Sequence, residues 1–138
     1  MKKILIYGLS SCWGGREAII MNVATMLKDE FFIDVVKDCS YCDYENRFCD
    51  KNLRFIYIPA WGQGIKKFET ALKKVITNNN YDYVWINASV FANSSIINIV
   101  KKYSKAKIIT HSHGSNVEEP NTLKAILIRI LHYLNRNR

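Results

Sequence analysis

The chain has 138 residues, 49% of them hydrophobic, which suits one domain and leaves little room for a second with its own core. Lys and Arg outnumber Asp and Glu by 20 to 12, a net charge of +8, yet 12% aromatic content with only 6 Gly and 2 Pro excludes a disordered basic tail. No apolar run approaches the roughly 20 residues that span a bilayer, and the run after Met1-Lys2-Lys3 is too short for a signal peptide, so a cytoplasmic location with reduced cysteines is expected.

Residues 3–8 (KILIYG) form a continuous apolar run ended by glycine, the pattern of a central strand buried on both faces of a parallel sheet. After a loop over residues 9–15, Ile20, Val23, Ala24 and Leu27 recur at helical spacing, and Lys28-Asp29-Glu30 closes that helix. Residues 31–36 predict a second strand, and the polar, Cys-containing stretch 38–52 has no period and reads as a long loop. Residues 53–58 (LRFIYI) give a third strand stopped by Pro59. Ile65, Phe68, Leu72, Val75 and Ile76 mark a second helix, ended by Asn78-Asn79-Asn80, and residues 81–87 (YDYVWIN) give a fourth strand. A third helix follows, with Asn93 or Ser94 as N-cap and Ile96, Ile99, Val100 and Tyr103 on its buried face. Residues 106–110 (AKIIT) predict a fifth strand. Leu123, Ile126, Leu127, Ile130, Leu131 and Leu134 then form an apolar stripe on a last helix, with no acidic residue after Glu119. Strands alternating with helices imply an α/β fold, a Rossmann-like parallel sheet with helices on both faces, in which ligands bind beyond the carboxyl ends of the strands. Trp61 and Trp85 are expected in the core, and Asn87 at the cleft mouth.

The positive charge lies late: residues 51–138 carry fourteen basic and four acidic groups, spread over several helices as solvated faces. Such a surface favours anions in general, but no aromatic-interleaved basic strand or recognition helix marks a nucleic-acid binder, and none is expected. The turn Ser10-Ser11-Cys12-Trp13-Gly14-Gly15-Arg16-Glu17 joins a strand to a helix. Its adjacent glycines let a ligand approach the backbone, and the free N–H groups of the first helical turn favour phosphate. It carries neither the dinucleotide fingerprint nor the nucleotide-triphosphate loop; the alternative is a merely flexible turn. His111 and His113 stand one residue apart at the end of the fifth strand, suited to hydrogen-bonding a hydroxylated ligand or to holding a metal, and alternation points them to one side. A two-His metal site needs a further ligand that has no recognisable spacing here, so no metal is expected; the alternative is one packed and one exposed histidine. Cys39, Cys42 and Cys49 form C-x2-C-x6-C, zinc-like in its first pair but short of a fourth ligand unless Cys12 or an acidic side chain supplies it, so reduced thiols are expected.

The segments MKKILIYGLSSCWGGREAIIMNV, YDYVWINAS and KIITHSHGSN together resemble the amino-terminal domain of glycosyltransferase family 4 enzymes, which pair two Rossmann-like domains in the GT-B arrangement. The resemblance spans nearly the whole chain. Its most specific parts are Gly14, Gly15 and Glu17 followed by Met21-Asn22, and the histidine segment ending in Ser115-Asn116. It implies a single acceptor-side domain over residues 1–138, with Gly14 and Gly15 on the donor diphosphate and His113, with His111 second, beside the transferred sugar. Ser11, Glu17, Asn87, His111, Ser115 and Asn116 would line the acceptor cleft. The donor is a nucleotide sugar acting as cosubstrate, with no further cofactor, and the acceptor a glycan or lipid-linked sugar. The resemblance also implies a carboxyl-terminal donor-binding domain, contiguous or separately encoded, that this chain lacks and without which it is inactive, and it allows peripheral contact with a membrane. Trp85 and Asn87 stand where such enzymes often carry histidine, and Arg16 stands where an apolar residue is usual. The alternative is a noncatalytic Rossmann-like module that binds an anionic ligand.

Overall fold

In the computed structural model, which describes residues 1–88, 94–113 and 122–136, the chain alternates strand and helix as β1 (Lys2–Leu9), α1 (Gly15–Leu27), β2 (Phe31–Lys37), β3 (Leu53–Tyr57), α2 (Ile65–Asn78), β4 (Tyr83–Ala88), α3 (Ser95–Tyr103), β5 (Lys107–Ser112) and α4 (Leu123–Arg136). The five strands make one parallel sheet in the order β3-β2-β1-β4-β5. β1 is the middle strand, as its unbroken apolar run requires. Leu5 contributes to the core on one face, and Ile4 and Ile6 to the core on the other. Each such side chain, fully buried, stabilises the fold by about 1.5–3 kcal/mol.

The two faces are covered differently. On the Leu5 face, α2 presents Phe68, Leu72 and Ile76 and α3 presents Ile97, Ile99 and Val100, with Val84 and Ile86 of β4 beneath them. On the Ile6 face, α1 presents Ile20, Met21 and Ala24, and the rest of the cover comes from the loop after β2, which sends Cys42 and Tyr44 into the core beside Val35 and Trp85. The aperiodic loop therefore does the work of a second helix. Lys37, at the end of β2 and itself buried, pins this loop by donating to the Ser40 carbonyl at 3.3 Å and pairing with Glu45 on a single 3₁₀ turn.

Three expectations shift. Tyr81 precedes β4 instead of opening it, because its hydroxyl reaches Asp34 at 2.6 Å, where Arg54 also binds in two-pronged fashion at 2.8 Å. β5 starts one residue later than predicted and runs on to Ser112, because its pairing with β4 continues through Asn87 to His111 and Ala88 to Ser112. Trp61 is not core: it lies on a 3₁₀ turn after Pro59 and is 46% exposed. The stripe on α4 faces solvent, since the helix buries Ala125 while Ile126, Leu127, Ile130 and Leu134 are exposed. Of the two N-cap candidates for α3, Ser94 holds the position, and Asn93 lies outside the described residues. No helix among the described residues is long and apolar enough to cross a membrane.

Candidate functional site

The chain leaves β1 on one side of the sheet towards β2 and returns to β4 and β5 on the other, so the carboxyl ends of β1 and β4 flank the point where the topology reverses. Open α/β sheets bind their ligands there. Gly8 makes the crevice floor possible: it has φ +134°, and a Cβ on it would stand 2.0 Å from the Asn87 carbonyl oxygen of β4. Only glycine allows this close approach, and a register shift in the β1–β2 pairing falls at the same place.

Beyond Gly8, Ser10 is gripped on three atoms. Its N–H and hydroxyl both donate to Glu17 Oε1, at 3.2 and 2.7 Å, and its carbonyl accepts from the Tyr44 hydroxyl at 2.6 Å and more weakly from Cys42 Sγ at 3.5 Å. Glu17 is therefore not the cleft-lining group that the resemblance implied: it is 5% exposed and turned back on the turn, its third and fourth contacts coming from Arg16 Nη2 at 3.0 Å and Nε at 3.2 Å. Burial pushes its carboxyl up, but the hydrogen bonds from Ser10, the backbone and Arg16 outweigh this and hold it below the ordinary value. A charged carboxylate in the first turn of α1 suits the positive end of the helix dipole. Gly15 is exposed, and among the described residues no atom comes within 4 Å of where its Cβ would be, so a ligand can approach the chain there. Gly14, extended at the N-cap, is closer to Glu17, whose Oε2 would stand 3.1 Å from a Cβ at that position. Ser11 is exposed and its hydroxyl touches Cys12 Sγ at 3.6 Å. Trp13 folds over the loop after β2, stacked on Phe48 at 5.6 Å and edge-on to Tyr44 at 5.1 Å.

The second part of the site grows from β4 and β5. His111, inside β5, pairs with Asn87 and stacks its ring on Trp85 at 6.1 Å. His113 follows two residues later on the same side, its ring 4.6 Å from that of His111, as strand alternation predicts. Its Nε2 bonds the Oδ1 of Asn87. An oxygen partner requires the proton on Nε2, which leaves Nδ1 as an acceptor. Asn87 is 0% exposed, so it does not reach the cleft mouth; it lies beneath His113 and positions it. Among the described residues its Nδ2 has no hydrogen-bond partner. Burial lowers the pKa of His113, and the neighbouring His111 and Arg16 lower it further against the opposing pull of Glu17. That Arg16 and Glu17 act on His113 at all puts the start of α1 and the end of β5 in one electrostatic neighbourhood.

Gly14, Gly15, His111 and His113 thus collect at one end of the sheet, while Glu17 and Asn87 stand behind them as supports. Ser115 and Asn116 lie outside the described residues. Ser10, Tyr44 and Trp13 were not singled out by the sequence, because their roles depend on a loop more than 30 residues away in the chain. Among the described residues no three His, Cys, Asp or Glu side chains come together to hold a metal ion. Chemically, the site offers helix amides for an anion and a neutral imidazole for a hydroxyl.

No protein-family model and no curated protein matches the chain. Among solved structures it is similar to the crystal structure of the ADP-L-glycero-D-manno-heptose-6-epimerase of Helicobacter pylori, with a TM-score of 0.55 and 13% identity over 99% of this chain and 49% of that one. The chain spans about half the length of the structure it matches. At that identity the likeness speaks for the fold alone, and it falls on an epimerase rather than a two-domain glycosyltransferase. The chain has a Rossmann-like α/β fold.

Proposed function

We propose that the chain is the acceptor-side domain of a glycosyltransferase that uses a nucleotide-sugar donor and is completed by a donor-binding domain. The observation that carries this reading is that the glycine start of α1, at Gly14 and exposed Gly15, and His113, whose pKa is lowered, lie at the same reversal point of the sheet. The sequence resemblance supplies the reaction class. The epimerase that shares the fold is named for an ADP-heptose, which contains the diphosphate that the amides would meet.

In this reading the amides of Gly14 and Gly15 and the positive end of α1 receive the donor diphosphate, whose negative charge grows as the sugar departs. His113, its Nε2 held by Asn87, directs Nδ1 at a hydroxyl of the transferred sugar, and His111 and Ser11 border the acceptor. Stabilising both the oxocarbenium-like sugar and the leaving diphosphate takes groups from two facing domains. The test has two arms. Titration of the ¹⁵N-labelled chain with a nucleoside diphosphate is expected to shift the amides of Gly14 and Gly15 at millimolar ligand; unshifted amides overturn the reading. Addition of a donor-binding domain, as a contiguous or separate chain, is expected to bring sugar transfer that His113→Ala abolishes, whereas turnover by the 138-residue chain alone overturns the need for completion.

A further inference from the structure

We infer that Cys39 and Cys42 form a thiol–disulfide exchange site that takes small-molecule disulfides and whose oxidation state is felt at the β1–α1 turn. The inference is independent of sugar transfer. The two sulfurs are 3.2 Å apart in the loop after β2, as free thiols. A disulfide needs about 2.05 Å, so the sulfurs must close by roughly 1.2 Å. The loop already holds them facing each other, because Lys37 ties the backbone at Ser40 and the side chain of Glu45, and Tyr44 is buried just beyond Cys42. Access is graded. Cys39 is half-buried and can be reached by a small disulfide, whereas Cys42 is 2% exposed. This is the order in which an attacking and a resolving thiol work.

The chemistry balances without a metal. The Cys39 thiolate attacks one sulfur of a disulfide RSSR, forming a mixed disulfide at Cys39 and expelling one RS⁻. The Cys42 thiolate then attacks the Cys39 sulfur, forming the Cys39–Cys42 bond and expelling the second RS⁻. The protein dithiol loses two electrons, RSSR gains them, and the two thiol protons end on two RSH. Burial, with the Cys42 thiol beside it, raises the Cys39 thiol to about 12, so exchange is slow at neutral pH and quickens as pH rises. The same property makes Cys39 a poor leaving group and the finished disulfide resistant to reduction.

Oxidation reaches the turn through one sulfur. Cys42 Sγ donates to the Ser10 carbonyl, and this donor disappears when the thiol becomes a disulfide, leaving the Tyr44 hydroxyl on that oxygen among the described residues. Trp13 rests on Tyr44 and Phe48 of the same loop and reports the change.

The experiment treats the reduced full-length chain with oxidised glutathione, blocks remaining thiols by alkylation, and maps the peptides by mass. Cys39 and Cys42 are expected to escape alkylation with the loss of two hydrogens, while exposed Cys12 and Cys49 carry glutathione or the alkyl group. Cys42→Ser is expected to accumulate the mixed disulfide at Cys39, and Cys39→Ser to leave Cys42 reduced with the core side of the loop intact. Tryptophan emission is expected to shift on oxidation, and the shift to vanish in Trp13→Phe and in Cys39→Ser. Alkylation of both Cys39 and Cys42 under conditions that modify Cys12 overturns the site. A disulfide that forms without a Trp13-dependent shift overturns its connection to the turn.

Discussion

His113 is the residue whose chemistry depends most on its surroundings. Burial first, and the neighbouring His111 and Arg16 next, hold its pKa below the ordinary value of 6.5 against the opposing pull of Glu17. The sign of the pH effect follows directly. The unfolded chain takes up the proton more readily than the folded one, so the contribution of neutral His113 to stability is complete above about pH 6.5 and is lost as pH falls towards its folded value. Proton NMR of the histidine ring is expected to give a midpoint below 6.5. In His111→Asn that midpoint should move up without reaching the ordinary value, because burial remains; an unmoved midpoint would rule out coupling between the two rings. Asn87 could be read from sequence only as a polar residue at a strand end. That it sits under the histidine instead of beside a ligand follows from its register opposite His111, which puts it in the middle of the sheet with no route to solvent. Glu17 is a similar case. Spacing gave its place in the first turn of α1, but the five contacts that turn it inward come from Ser10, counted once for each donor, Arg16 on two atoms and the helix backbone.

At the scale of elements, periodicity located the five strands and four α-helices of the described residues, with ends displaced by a residue or two where side-chain contacts intervene, as at Tyr81. Periodicity does not say which way an apolar stripe faces. α4 shows this plainly: Ala125 is 0% exposed whereas Leu127 is 56% exposed, so the helix turns its smallest apolar residue inward and its large ones out. A substitution that merely alters the exposed stripe, Leu127→Gln, is expected to change stability by less than about 0.5 kcal/mol. Ala125→Leu, by forcing three more carbon atoms into a filled site, is expected to destabilise by about 1–3 kcal/mol. Urea denaturation of the two variants distinguishes the faces, and equal effects would mean that the stripe is covered in solution. The basic helices behave as the charge pattern suggested, and some of their lysines find aromatic partners: Lys73 and Lys102 stand over the ring of Tyr103 at 4.4 and 5.4 Å.

At the scale of the whole molecule, the sheet has two halves, β3-β2-β1 and β4-β5, joined where β1 meets β4. Gly8 is the tightest point of that joint. Gly8→Ala meets both a backbone conformation that L residues avoid and the Asn87 carbonyl, and is expected to destabilise by about 2–4 kcal/mol in urea denaturation. A wild-type midpoint in this variant would show that the joint is looser than its geometry. The Rossmann-like order and the glycine turn were legible in the sequence, because strand burial and helix period are local signals that repeat along the chain. The partners of that turn were not. Tyr44 reaching Ser10, Trp13 lying on Phe48, and His113 resting on Asn87 all join segments far apart in sequence, and an aperiodic loop gives no local sign of which of its side chains fill a core. By itself the sequence determined the order of the elements, the surface charge and the residue types available for chemistry. Tertiary structure alone decided which of those residues face open space and which hold the others in place, because that depends on register across β1, β4 and β5 and on the packing of a loop against a helix.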